Sequence, residues 1–205
     1  LGESLSFLLV EAARNWGSLA MLALTAILSI ILGMGMPSTA IYIVLATVIA
    51  PALSQMGIPV LASHLFIFYF GVMSFLTPPV AVSSYVAAGL AKAPLWETGW
   101  LGMRYSAIAF VVPFLWCYEP ALLLDDSLLA IATVTAVTLG ALMIYSKGLT
   151  SILFRALPSF RGLAAIPALI GLALVVSPIV FGPVSPVSIA LAVAALVIGL
   201  WPATK

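Results

Sequence analysis

Two short stretches hold the residues whose types and spacing can do chemistry: Gly35-Met36-Pro37-Ser38-Thr39 and Thr77-Pro78-Pro79. Proline brings no amide proton and glycine loosens the backbone, so helical hydrogen bonding should fail around Pro37 and around the Pro78-Pro79 pair. Thr77 precedes a proline and is pushed away from helical geometry. Carbonyls released in this way, together with the hydroxyls of Ser38, Thr39 and Thr77, are neutral oxygens of the kind that hold a small cation such as Na⁺. The exposed N-termini of the helices that follow favour anions. The chemistry indicated is reversible ion binding. The competing reading is a pair of proline kinks whose backbone groups are satisfied by neighbouring helices. Two breaks in consecutive segments, one beside small hydroxyl residues, favour the ion site.

Other reactive side chains are isolated. His64 is the only histidine and opens an aromatic run to Phe70; with no second ligand at metal spacing it reads as a packed residue. Glu119, Asp125 and Asp126 read as a solvated helix end, because no nucleophile or base accompanies them. Cys117 is the sole cysteine, which excludes an internal disulfide and a CxxC metal site, and it reads as a packing residue. Gly71 and Ser74, three apart, read as a place of close helix packing, and Phe66, Phe68 and Phe70 as facing lipid. No GxSxG, HExxH or P-loop pattern occurs. The sequence thus points away from an enzyme, and no catalytic residue or further metal site is assigned.

The elements that must position the two stretches are set by composition. Of 205 residues, 64% are hydrophobic and 6% charged, against roughly 25% charged in soluble domains. The few charges sit in short clusters separated by long neutral stretches, as in a protein embedded in the lipid bilayer. A net charge of +1 supplies no basic field for nucleic acid. The chain opens within hydrophobic sequence without a signal-like start, which predicts a section of a longer polypeptide.

Leu1 to Asn15 reads as an approach to the membrane edge, with Trp16 as an interfacial anchor. Apolar helices are predicted over Gly17–Leu32 and Ala40–Ala50, the second ending near Pro51. Arms of about 11 to 16 residues reach roughly 17–24 Å, short of the roughly 30 Å hydrocarbon thickness, so the pair is predicted to be a re-entrant hairpin. A linker, Leu53–Pro59, leads to a near-complete span at Val60–Leu76, and the Thr77-Pro78-Pro79 break leads to a further helix ending near Ala91. Lys92–Arg104 reads as an interfacial helix. Complete spans are predicted at Tyr105–Leu124, Leu128–Tyr145, Leu163–Val180 and Val187–Trp201. Under this segmentation Lys92, Arg104, Lys147, Arg155, Arg161 and Lys205 share one face, cytoplasmic by the positive-inside rule. Ser54–Pro59 and Asp125–Asp126 then lie outside. From Ser127 onward no hydroxyl-flanked break occurs, and the tail is expected to be accessory, its Pro178, Pro183 and Pro186 clustered near a helix end.

Leu32-Gly33-Met34-Gly35-Met36-Pro37-Ser38, Met56-Gly57-Ile58-Pro59, the run from Gly71 through Thr77-Pro78-Pro79-Val80-Ala81, and Ala87–Ala91 together resemble the last third of the large permease subunit of TRAP (tripartite ATP-independent periplasmic) transporters. Phe68-Tyr69-Phe70-Gly71 and the extra C-terminal segments resemble the fused-permease branch. The likeness is good from about Gly17 to Leu124 and loose beyond Ser127. It implies an elevator-type, Na⁺-coupled importer of organic acids, supplied by a periplasmic substrate-binding protein without ATP, multi-pass in a bacterial or archaeal cytoplasmic membrane. Na⁺ is the coupling ion, no other cofactor is implied, and the remainder of the permease chain is a further partner. Carried over residue by residue, the family's ion sites fall on Gly35, Met36, Pro37, Ser38 and Thr77, Pro78, Pro79; Thr39 joins them from its own chemistry. Many relatives place an acidic residue before the tip proline where this chain has Met36, and Gly after Thr-Pro-Pro-Val where it has Ala81.

The expected fold class is therefore all-α: a polytopic transmembrane helical protein with a re-entrant hairpin and a discontinuous helix. Residues 1–125 form the transport region and residues 126–205 a C-terminal transmembrane extension. The alternative function is an ion channel, or an unrelated secondary transporter using the same broken-helix chemistry.

Overall fold

The first helix, α1 (Ser18–Gly33), places Met21, Leu22, Thr25, Ala26, Ser29 and Gly33 inside. Their three- and four-residue spacing makes one buried stripe. The computed structural model describes Phe7, Glu11 and residues 17–153, with only the backbone of 144 and 146–153. The expectations for Trp16, for the spans at Leu163–Val180 and Val187–Trp201 and for the tail prolines lie outside the described residues. Every regular element among those described is helical.

Helix α2 (Ser38–Val48) starts directly after Pro37, whose φ of −60° and ψ of 146° end the irregular turn. Pro51 does not terminate a helix as expected but stands in the first turn of another, α3 (Ala50–Gln55). A first-turn amide has no partner within its own helix, so proline is tolerated there. Part of the predicted linker is therefore helical. Helix α4 (Val60–Met73) follows Pro59, and α1, α2 and α3 all pack against it.

Phe66 and Phe70 on α4 are buried, at 0% and 2% exposure. They meet Phe114 edge-on, with ring centroids 5.2 and 5.7 Å away, and each other at 4.8 Å. Tyr69 meets Trp116 at 5.4 Å. The expectation that Phe66 and Phe70 face lipid is therefore corrected: these rings stack on one another instead, and such pairs add about 0.5–1.5 kcal/mol each beyond area burial. Phe68 stays partly exposed and touches Tyr42 edge-on.

Beyond the second break come α5 (Val82–Ala91) and α6 (Leu95–Tyr105), which pack together. Lys92 ends α5 at φ 52°, its amide donating to Gly89 and that of Ala93 to Ala88, a Schellman closure. The predicted span Tyr105–Leu124 is not one helix. A 3-10 turn (Ala107–Phe110) precedes α7 (Val112–Tyr118), and a second 3-10 turn covers Pro120–Leu123. Pro113 and Pro120, both inside the apolar run, each remove an amide donor. Among the described residues no single helix is long and apolar enough to cross a membrane; Leu95–Tyr105 with Ala107–Tyr118, bent by 63°, pass that test together.

The chain divides into two compact units between Cys117 and Tyr118. In the second, Ser127 caps α8 (Leu128–Leu153), its Oγ accepting the Ala130 amide at 3.3 Å. Helix α8 covers the stretch expected at Leu128–Tyr145, and the 3-10 turn at Pro120–Leu123 packs against it. Glu119 is corrected: at 3% exposure it is buried, unlike exposed Asp125 and Asp126.

Candidate functional site

Helix α1 and α2 are joined by a tight turn. Met34 has φ −63° and ψ 121°, Gly35 has φ 78°, and the Met36 amide donates to the Gly33 carbonyl at 3.4 Å. That is a type II turn, whose third residue needs the left-handed conformation that glycine supplies without strain. Gly35, Pro37, Ser38 and Thr39 are exposed and Met36 is half-buried.

The second break begins where α4 tightens. The amides of Ser74, Phe75, Leu76 and Thr77 each donate three residues back, at 3.3, 3.0, 3.0 and 3.2 Å. The chain then passes Pro78 and Pro79, joined by a cis peptide, and turns at Ala81, a buried non-glycine residue at φ 30°. The carbonyls expected to lose their partners are largely re-satisfied. Met73 accepts the Thr77 hydroxyl at 2.8 Å, Phe75 accepts the Ser83 amide at 3.0 Å, and Pro79 accepts the Tyr85 hydroxyl at 2.9 Å. The Leu76 and Pro78 carbonyls accept no bond from a described residue.

The ends of α1 and α4 meet. A Cβ built on Gly33 would lie 2.6 Å from the Gly71 carbonyl oxygen and 3.1 Å from Ser74 Oγ. On the opposite side, a Cβ on Gly71 would strike Ile41 Cγ2 and lie 2.9 Å from Leu45 Cδ1. The close packing read from Gly71 and Ser74 is thus present, and Gly33 is its missed partner. The Thr25-Ser29-Gly33 spacing carried the signal, since small residues four apart form one helix face. Both irregular segments leave from this meeting point: Gly35–Thr39 follow Gly33, and Thr77–Pro79 follow Ser74. From Trp16 to Ala91 the sequence has no Lys, Arg, Asp or Glu, so this stretch contributes to the local potential through backbone and side-chain dipoles.

Ser38 and Thr39 also line a cavity of about 400 Å³ with Tyr42, Leu61, His64, Leu65 and Phe68. Tyr42 Oη and His64 Nδ1 are hydrogen-bonded at 3.0 Å, so the histidine has a packing partner on α2. Cys117 is half-buried, its thiol donating to Pro113 at 3.6 Å.

A family model described as Tripartite ATP-independent periplasmic transporter, DctM component, matches residues 1–128. The chain belongs to the DctM family. The match takes in both breaks and stops at the first residue of α8. No curated protein and no solved structure matches the chain. As a DctM protein it is a permease component of a TRAP transporter, and its family is one of inner-membrane transport proteins that work with a periplasmic binding protein and other subunits, not a family of enzymes. At Ala81 this DctM chain holds alanine in the left-handed region, at a cost of roughly 1–2 kcal/mol.

Proposed function

We propose that this DctM protein is the multi-pass membrane permease of a secondary active, Na⁺-coupled importer of organic acids, delivered by a periplasmic binding protein in a bacterium or archaeon. The observation that carries the reading is the meeting of Gly33 with Gly71 and Ser74, from which both broken segments depart within an uncharged stretch. Helices α1 and α2 are the arms of a re-entrant hairpin. At 16 and 11 residues they reach only about 24 and 17 Å, less than the roughly 30 Å a crossing needs. The hairpin moves with α4 and α5 as one elevator-type body.

Na⁺ is held by neutral oxygens at the two breaks. At the turn these come from Gly35, Met36, Pro37, Ser38 and Thr39, and at the second break from Thr77, Pro78 and Pro79; a Leu76 carbonyl that accepts no bond from a described residue supports the reading. The Thr77 proton is engaged by Met73, which leaves the hydroxyl lone pairs to face a cation. A site without a carboxylate compensates the ion only through dipoles, so binding is weak enough to be reversed in each transport cycle.

The test is uptake of a panel of radiolabelled organic acids by vesicles carrying the assembled transporter. Uptake that requires both an inward Na⁺ gradient and the binding protein is expected. Passive flux that needs neither would overturn the proposal in favour of a channel.

A further inference from the structure

Helix α6 has one side committed to the protein and one side turned out. On the inner side a Cβ built on Gly99 would lie 3.2 Å from Pro78 Cγ and 3.3 Å from Tyr85 Cε1, and one on Gly102 would lie 2.8 Å from Ser84 Oγ. On the outer side Trp96, Trp100, Leu101 and Arg104 are exposed, the two indoles at 55% and 44%. Large apolar groups left open side by side mark a contact surface rather than ordinary protein exterior. The indoles meet edge-on, with ring centroids 5.8 Å apart. Trp96, Trp100 and Arg104 follow one another at four-residue spacing and so form one stripe. Neither Arg104 nor Lys92 forms an ion pair among the described residues. Glu97, seven residues before Arg104, stands about 10 Å away along the axis and leaves that charge open.

We propose that this stripe is a docking site for an anionic phospholipid, with Arg104 on the headgroup phosphate and the two indoles against the glycerol and upper acyl chains. The placement of α6 follows from its neighbour. Leu95–Tyr105 and Ala107–Tyr118 are long and apolar enough to cross a membrane only together, and they are bent by 63°. Both cannot follow the bilayer normal. Ala107–Tyr118 carries no charged side chain, whereas α6 carries Glu97 and Arg104. Ala107–Tyr118 therefore enters the hydrocarbon, and α6 is the arm deflected toward the membrane surface. At that depth an indole ring straddles apolar and wet layers, and a guanidinium reaches phosphate. Charge selects the occupant. A guanidinium pairs with phosphate through two parallel hydrogen bonds, and a lipid of net negative charge adds attraction that a lipid with a balancing ammonium cancels. Lys92, exposed ahead of the first turn of α6, adds a second cation to the patch. A protein partner fits less well, because the centre of a protein interface is poor in charged residues. The site lies one helix thickness, about 10 Å, from Pro78 and the second break.

The assembled transporter in detergent, titrated with phosphatidylglycerol or with phosphatidylcholine of matched acyl chains, tests this. Retained lipid is counted by native mass spectrometry, and stability is read as the unfolding temperature. One basic side chain at an anionic surface strengthens binding about five-fold. Phosphatidylglycerol should therefore bind at least that much more tightly and raise the unfolding temperature by about 2–4 °C more. Arg104→Gln should retain one phosphatidylglycerol fewer and lose that advantage in unfolding temperature, and Arg104→Lys should recover part of both. Trp100→Ala should weaken both lipids alike. Equal binding of the two lipids by the unmodified protein would overturn the proposal, and so would an Arg104→Gln variant that holds as much phosphatidylglycerol as the unmodified one. Inorganic phosphate that stabilises as well as phosphatidylglycerol would overturn it by making the occupant a free anion. Loss of another subunit from the complex on Trp100→Ala, in either lipid, would overturn it by making the stripe a protein interface.

Discussion

Thr77 does two jobs in the second break: its hydroxyl closes the Met73 carbonyl at 2.8 Å, and its backbone opens the turn into Pro78-Pro79. Thr77→Val keeps the shape and deletes the oxygen. A hydrogen bond to a charged partner is worth about 1.5–3 kcal/mol, and about 1.4 kcal/mol is a factor of ten. Apparent Na⁺ affinity in the assembled transporter should therefore weaken roughly ten-fold or more, with Thr77→Ser restoring it. A Na⁺ titration of uptake decides; an unshifted midpoint with normal uptake would reduce Thr77 to a hinge. Lys92 offers a stability test. It is exposed and left-handed at φ 52°, so Lys92→Gly removes a strain of roughly 1–2 kcal/mol against about 0.5–1 kcal/mol of lost chain freedom. Thermal unfolding should show stabilisation of up to about 1.5 kcal/mol. At this scale the sequence was legible where a residue's own chemistry dictates its conformation, as at Gly35 and Pro37. It pointed to a solvated Glu119, whose burial depends on chain packed around it, and to free carbonyls at the second break, whose new partners Ser83 and Tyr85 come from the next helix.

Among the elements, α4 is the common seat of α1, α2 and α3, and at Gly71 both α1 and α2 come against its backbone. Gly71→Ala inserts a methyl group against Ile41 and Leu45. Overpacking of this kind costs about 1–3 kcal/mol, so a lower unfolding temperature and reduced membrane abundance are expected; unchanged thermal stability would mean that α2 shifts freely. Helices α1, α2 and α5 were readable because glycine and proline punctuate their ends. The stretch after Tyr105 was misread for the converse reason. Pro113 and Pro120 stand in apolar sequence that hydropathy scores as continuous, while each lacks the amide that one continuous helix would use. Pro51 misled in the opposite sense, since a proline that closes one helix in a linear reading opens the next in space.

For the molecule as a whole, the distribution of charge fixes the expected orientation. Lys92–Arg104, Lys147–Arg161 and Lys205 should face the cytoplasm, and Ser54–Pro59 and Asp125–Asp126 the outside. Single cysteines placed at Ser54 and Ser151 in a Cys117→Ser background should react with an impermeant maleimide from the outside and the inside respectively. Outside labelling at Ser151 would invert the assignment. The family match ends at residue 128, and the segment beyond is expected to be accessory. Deleting it from the full chain should lower membrane abundance while leaving apparent substrate affinity intact; a sharp fall in affinity at normal abundance would make it part of the transport path.

The contact between Gly33 and Gly71 also bears on how relatives of this chain can diverge. A side chain at position 71 would collide with the Cγ2 methyl of Ile41 and the Cδ1 methyl of Leu45, which substitution can remove. One at position 33 would collide with the carbonyl of residue 71, which no substitution removes. The two glycines therefore face different evolutionary constraints. Gly71→Ala is open to compensation, with Ile41→Ala, which deletes the colliding Cγ2, the natural suppressor in a genetic selection for uptake. Gly33→Ala has no suppressor of that kind at position 71, so lineages should drift at 71 together with 41 while position 33 stays fixed.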